Sequence, residues 1–131
     1  MSKQIITKLN VRFSECDYYQ HVNNAEYINY LDIGVADLFR KIYDDIVNMN
    51  FVIHMVHVSA DFKGSATFDD ELIITTEIDK IGNTSITFKQ SIKNTKTDKI
   101  IVEAKKIGVF LSVTSGEKIN TPEEIVIFFN S

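Results

Sequence analysis

Proline occurs once in this chain and glycine five times, so no stretch has the composition of a flexible linker or a disordered tail. Cysteine occurs once, at Cys16, which rules out an internal disulfide and any zinc site built on two or more thiolates. No apolar run approaches the roughly 18 residues of a membrane span, and Met1-Ser2-Lys3-Gln4-Ile5 lacks the apolar stretch of a secretion signal. Basic charge is also scarce. With 14 Lys and Arg against 18 Asp and Glu, the net charge is −4, the wrong sign for a general nucleic-acid binder. What remains is 131 residues, 44% hydrophobic, which suffices for one domain over 1–131 with its own core, expected in the cytoplasm.

The basic residues are unevenly spread. Seven lysines (Lys80, Lys89, Lys93, Lys96, Lys99, Lys105 and Lys106) fall in 80–106 against Asp98 and Glu103, a local net charge of about +5. Two readings are open: the solvated face of a hairpin, or a site for a phosphorylated ligand.

Periodicity supplies the architecture. Ile5, Thr7, Leu9, Val11 and Phe13 alternate with more polar neighbours, which predicts a strand over 4–13. From Asn23 the spacing becomes helical. Tyr27, Leu31, Val35, Leu38 and Ile42 form one stripe, and the helix is expected to run to about 43. Asn23 is its cap, with Glu26 in the capping-box position, and Gly34 in its middle suggests close approach to a strand. Strands follow over 52–63, 71–79, 84–93 and 100–113, the last three as an antiparallel meander. The apolar parity of the last strand switches across Lys105-Lys106, which predicts a bulge there. Thr121, Pro122 and Glu124 have the cap, first-turn and third-position identities of a short C-terminal helix. A helix this long and apolar, followed by so many strands, implies an α+β domain with the sheet wrapped around it.

The densest chemistry lies in Asp17-Tyr18-Tyr19-Gln20-His21-Val22-Asn23-Asn24, just ahead of the long helix. It places a carboxylate seven residues before helix-opening amides, a base or nucleophile beside a ready-made anion site. Other residues carry weaker cases. His21 is a base or a loop anchor, and Tyr18, Tyr19 and Tyr27 line a pocket or belong to the core. His54 and His57 lie three apart on a strand, so they are expected on opposite faces, a poor metal pair. Cys16 beside Asp17 reads better as a small buried hydrophobe than as a nucleophile. No metal site is expected.

Residues 11–39, VRFSECDYYQHVNNAEYINYLDIGVADLF, resemble the signature of hotdog-fold acyl-CoA thioesterases of the 4-hydroxybenzoyl-CoA thioesterase type. Asp17, His21, Val22, Asn23, Asn24 and Tyr27 match that pattern. Asp61-Phe62, Phe68-Asp69-Asp70-Glu71-Leu72 and Ile81-Gly82-Asn83-Thr84-Ser85 are similar to positions that follow in the family. Two positions depart: Gln20 stands where glycine is usual, and Ser65-Ala66 replaces Pro-Ala. The resemblance implies an antiparallel sheet of about five strands around one central helix, plus a short C-terminal helix. It implies hydrolysis of an acyl-CoA or acyl-carrier-protein thioester without a cofactor, in a homodimer or homotetramer. Asp17 would be nucleophile or general base, the Asn24 amide would polarise the carbonyl, and His21 would assist or hold the loop. Tyr18, Asn23 and Tyr27 would meet the substrate, and Lys89 in the basic segment would meet coenzyme A phosphates. A non-catalytic acyl-CoA binder and a hotdog dehydratase are the alternatives.

Overall fold

The structure, a computed structural model, describes residues 3–131. Strand β1 (Ile5–Asn10) leads through a 3-10 turn (Phe13–Glu15) to helix α1 (Asn24–Arg40). Strands β2 (Phe51–Phe62), β3 (Glu71–Ile81), β4 (Ser85–Asn94) and β5 (Lys99–Ser112) follow, then helix α2 (Glu123–Asn130). The five strands form one antiparallel sheet in the order β1-β3-β4-β5-β2. The meander is β3-β4-β5, and β1 and β2 are the edges. This is the wrapped-helix arrangement implied by the hotdog resemblance.

Helix α1 buries Tyr27, Tyr30, Leu31, Gly34, Val35, Leu38 and Phe39. Its first half packs with Leu72, Ile74, Ile92 and Val102, and its second half with Ile78, Ile86, Phe88, Phe110 and Ile125 of α2. Gly34 lies where helix and sheet touch. A Cβ there would sit 2.5 Å from Thr76 Oγ1 and 2.8 Å from Ile74 Cγ2. Overpacking of that kind costs about 1–3 kcal/mol, whereas alanine would gain at most about 1 kcal/mol in helix propensity. Contact wins over propensity, and glycine is the residue that fits. Beside it, Gln90 Nε2 donates to Leu31 O and Thr76 Oγ1, both at 2.8 Å.

Four expectations need correction. β1 stops at Asn10 because Arg12 turns away to cap the 3-10 turn, held by its bonds to Glu15. The bulge is not at Lys105-Lys106, which pair without a break against both neighbouring strands; β5 has its extra residue at Ile101, between the partners of Ile92 and Lys93, and a second shift lies in β2, between Met55 and His57. Lys106 occupies an inward slot, with its side chain 1% exposed and Nζ 2.5 Å from Asp32 Oδ1. A buried lysine stem with a satisfied head reads, in sequence, like a slip of register. The shift in β2 puts His54 opposite Val109 and His57 opposite Ile107, so the two histidines share a face after all. Finally, the Thr121 hydroxyl does not cap α2; it donates to Gly82 O at 2.6 Å.

Helix α1 lies mainly over β1, β3 and β4. The same face of β5 is also buried, at Val102, Ala104, Lys106 and Phe110, whereas the free edge of β2 presents the exposed Val52, Val56 and Val58.

Candidate active site

The run ahead of α1 is a closed loop rather than a flexible one. Cys16 pairs with Val22, and His21 pairs with Thr67. The Asp17 N–H donates to His21 O at 2.8 Å, the Gln20 N–H to Asp17 O at 2.9 Å, and the Val22 N–H to Ala66 O at 2.9 Å. Gln20 sits at φ 66°, the left-handed region that glycine enters freely and other L-residues enter at about 1–2 kcal/mol. The glycine that the resemblance implies for this position would enter that shape without strain. Here glutamine adopts that shape, and the loop keeps its hydrogen bonds.

Asp17 uses one carboxylate oxygen to hold the loop and leaves the other available. Its Oδ1 accepts from the Tyr19 N–H at 2.9 Å and, at the long limit of 3.4 Å, from the His21 N–H. Among the described residues, Oδ2 has no partner. The side chain is exposed.

The helix start is arranged in a complementary way. Asn23 caps it, its Oδ1 accepting from the Ala25 N–H at 3.0 Å, and Asn23 O accepts from the Glu26 N–H at 2.8 Å. The expected capping box does not close. The Asn23 N–H already donates to Glu15 O at 3.0 Å, so the Glu26 carboxylate accepts from Asn29 Nδ2 instead. The Asn24 N–H has no acceptor among the described residues. It is an orphan donor at the positive end of a 17-residue helix, suited to a developing oxyanion.

A support that the sequence reading missed lies beneath the loop. Glu15 is buried, and its carboxylate accepts from Arg12 N at 2.8 Å, Arg12 Nη2 at 2.7 Å and the Tyr30 hydroxyl at 2.8 Å. Burial pushes the Glu15 carboxyl up, but the side-chain and backbone donors of Arg12, with Tyr30, more than offset this and leave it below its ordinary value. Burial, then Glu15 itself, pushes the Tyr30 phenol up. Leaving that hydroxyl unpaired would cost about 1–3 kcal/mol, so the cluster fixes the strand-to-loop corner on which Asp17 stands. The Arg-x-x-Glu spacing was its only trace in the sequence.

The remaining expected site residues divide. Tyr18 and Tyr19 are 94% and 76% exposed and meet edge to face with centroids 5.6 Å apart. The His21 imidazole is exposed and has no hydrogen bond among the described residues; only its backbone holds the loop. Tyr27 is corrected from pocket wall to core. It is 1% exposed, and its hydroxyl accepts from the Ala66 N–H at 2.9 Å. Burial pushes this phenol up, with smaller pushes from the charges of Asp70, Cys16 and Asp17. Lys89 is not brought to the site within one chain. Gln90 reaches α1, so Lys89, its neighbour on the strand, points to the opposite face of the sheet. There, with Lys105, Glu77 and Glu103, it lines a hollow of about 560 Å³ that includes neither Asp17 nor Asn24. Those two residues, not the hollow, hold the groups suited to acyl chemistry.

Residues 11–129 match the family model described as the thioesterase-like superfamily. The long-chain acyl-CoA thioesterase FadM of Escherichia coli (strain K12) is 27% identical over 104 residues, 75% of this chain and 76% of that protein. A 1,4-dihydroxy-2-naphthoyl-CoA thioesterase from Synechocystis superposes with a TM-score of 0.89 at 14% identity, over 98% of this chain and 97% of its own. An Asp-to-Asn mutant of 4-hydroxybenzoyl-CoA thioesterase, complexed with 4-hydroxybenzoyl-CoA, superposes with a TM-score of 0.85 at 22% identity, over 96% and 98%. At such identities the structural likeness speaks for the fold, which is the hotdog fold.

Proposed function

Because this chain belongs to the thioesterase-like superfamily, we propose that it hydrolyses acyl-CoA thioesters to the free carboxylic acid and CoA. Asp17 Oδ2 acts on the thioester carbonyl in one of two ways. It attacks the carbon, expelling the thiolate and forming a mixed anhydride that water then cleaves. Otherwise it takes a proton from a water that attacks in its place. Both routes pass through an oxyanion, which the Asn24 N–H receives; one such donor is typically worth about 10²–10³ in rate. The helix terminus would favour ionised Asp17 by only about 0.3–1 kcal/mol, so its larger contribution is to the oxyanion.

The observation that carries this reading is the pair of unused groups, Oδ2 of Asp17 and the Asn24 N–H, at the two ends of one hydrogen-bonded loop. Thiol release from a panel of aliphatic and aromatic acyl-CoAs, with acyl-carrier-protein thioesters as a second arm, tests it. Turnover of at least one acyl-CoA is expected. Thermal stabilisation by acyl-CoA with no thiol released from any of them would instead mean a binding protein.

The working form is a homo-oligomer. The unpaired β2 edge with its exposed valines invites a second strand. A second copy joined there would also cover the exposed Val58 and Phe62 of β2. Light scattering should give twice the 15.0 kDa chain mass, or a multiple of it. A monomer that is active at the concentration measured would sink this assembly. No helix among the described residues is long and apolar enough to cross a membrane, in keeping with the cytoplasmic placement proposed here.

A further inference from the structure

The chain passes the site twice, and Glu15 touches both passes. On the way in, it stands just before Cys16 and Asp17. On the way out, its carbonyl oxygen accepts from the Asn23 N–H at 3.0 Å, next to Asn24, whose own N–H has no acceptor among the described residues. The Glu15 carboxylate then reaches α1. Its Oε1 accepts from the Tyr30 hydroxyl at 2.8 Å, in the second turn of the helix, and from the Arg12 N–H at 2.8 Å, which ties in the chain leaving β1. Glu15 and Tyr30 are 6% and 1% exposed, so water does not compete for this bond. Two hydrogen-bonded links run from the loop to side chains of α1 among the described residues. The outgoing limb is tied through Ala66, which accepts from the Val22 N–H and donates to the Tyr27 hydroxyl. The incoming limb, the one that carries Asp17, is tied through Glu15 and Tyr30.

We propose that Tyr30 and Glu15 are positioning residues for the hydrolysis: their buried bond holds the Asp17 carboxylate in the register with the Asn24 N–H that attack on a thioester requires. The inference rests on the thioesterase reading of Asp17 and Asn24. Neither residue touches the reacting atoms. Glu15 acts through the backbone that leads to Asp17, and Tyr30 gives that backbone a fixed point on the helix whose first N–H receives the oxyanion. The loop's own bonds, Asp17 N–H to His21 O and Gln20 N–H to Asp17 O, close the turn on itself and leave its tilt against α1 to these links. Misplacing a reacting group by about 1 Å can cost about 10²-fold in rate. Loss of the Tyr30 bond therefore shows in turnover before it shows in binding.

The test is kcat and KM for one good acyl-CoA with Tyr30→Phe, alone and combined with Asp17→Asn. Phenylalanine deletes the bond and keeps the ring, which meets Tyr27 edge to face with centroids 6.0 Å apart. Glu15 Oε1 retains the Arg12 N–H, so the variant is expected to fold. Its kcat should fall about 10- to 100-fold, while KM and the affinity for an alkyl-CoA thioether stay within about twofold of wild type. Tyr43→Phe is the control. It deletes another phenol-to-carboxylate bond, Tyr43 to Glu124 at 3.2 Å, past the far end of α1, and should turn over like wild type. The combined variant separates positioning from a general loss of folded protein. With no carboxylate left to place, Tyr30→Phe should lower the residual rate of Asp17→Asn by less than about twofold. A smaller folded fraction would lower both backgrounds alike. Should Tyr30→Phe fail to fold, Glu15→Asp, one methylene short of the phenol, carries the same expectations through the same cycle. Tyr30→Phe within about threefold of wild type, or a loss repeated in full on Asp17→Asn, overturns the proposal; an Asp17→Asn loss beyond about tenfold then leaves the hydrolysis reading standing. Asp17→Asn within about tenfold of wild type, or a wild type that releases no thiol, removes that reading and the positioning role with it.

Discussion

Asp17→Asn is expected to keep its fold and to lose roughly 10²–10⁴ in kcat on acyl-CoA, the usual contribution of a positioned base or nucleophile. The substitution is close to isosteric, and the amide oxygen of asparagine can accept the Tyr19 N–H that Asp17 Oδ1 now accepts at 2.9 Å. The turn survives; what disappears is the charge and the free lone pairs on Oδ2. KM should change little, because the lost interaction is made in the transition state rather than in binding. The check is kcat and KM for one good substrate, beside a thermal melt of both proteins. An active wild type and a mutant within about tenfold of it would remove Asp17 from the chemistry.

How far this site could be read from sequence depends on the range of the interactions that make it. The loop and the helix start are local. Asp17, Gln20, Asn23 and Asn24 lie within eight consecutive positions, and their hydrogen bonds follow from turn and cap rules. The helix, the meander and the close approach at Gly34 were legible because each leaves a periodic or single-residue trace. The supports were not. Tyr30 meets Glu15 from 15 residues away, and Asp32 meets Lys106 from 74 away. Neither pair has a spacing that marks it, since tertiary packing alone brings the partners together. Lys106 is misleading in a further way: a charged residue at an inward position reads as a change of parity, when a snorkelling lysine preserves it. The bulge in β2 had no sequence trace at all, and with it went the expectation that His54 and His57 face apart. Lys89 failed for a related reason. A cluster of charge along the chain says nothing about which face of a strand each member takes.

The backbone donor can be removed almost as cleanly as the carboxylate. Proline is favoured at the first position of a helix, where its missing N–H would be unpaired anyway. Asn24 holds that position, and Asn23 before it is already extended at φ −62° and ψ 138°, which a following proline requires. Asn24→Pro should therefore fold with a melting temperature near that of wild type while kcat falls about 10²–10³-fold, equivalent to about 2.7–4 kcal/mol of lost oxyanion stabilisation. Asn24→Ala, which keeps the N–H and discards only an exposed side chain, should stay close to wild type. An alkyl-CoA thioether has no carbonyl, so its affinity should be the same for all three proteins if the proline ring does not obstruct the site. Equal thioether affinity together with a large loss of turnover in the proline variant alone would place the defect at the carbonyl oxygen. Proline and alanine variants of equal activity would take the Asn24 amide out of the mechanism and leave Asp17 without its electrophilic partner.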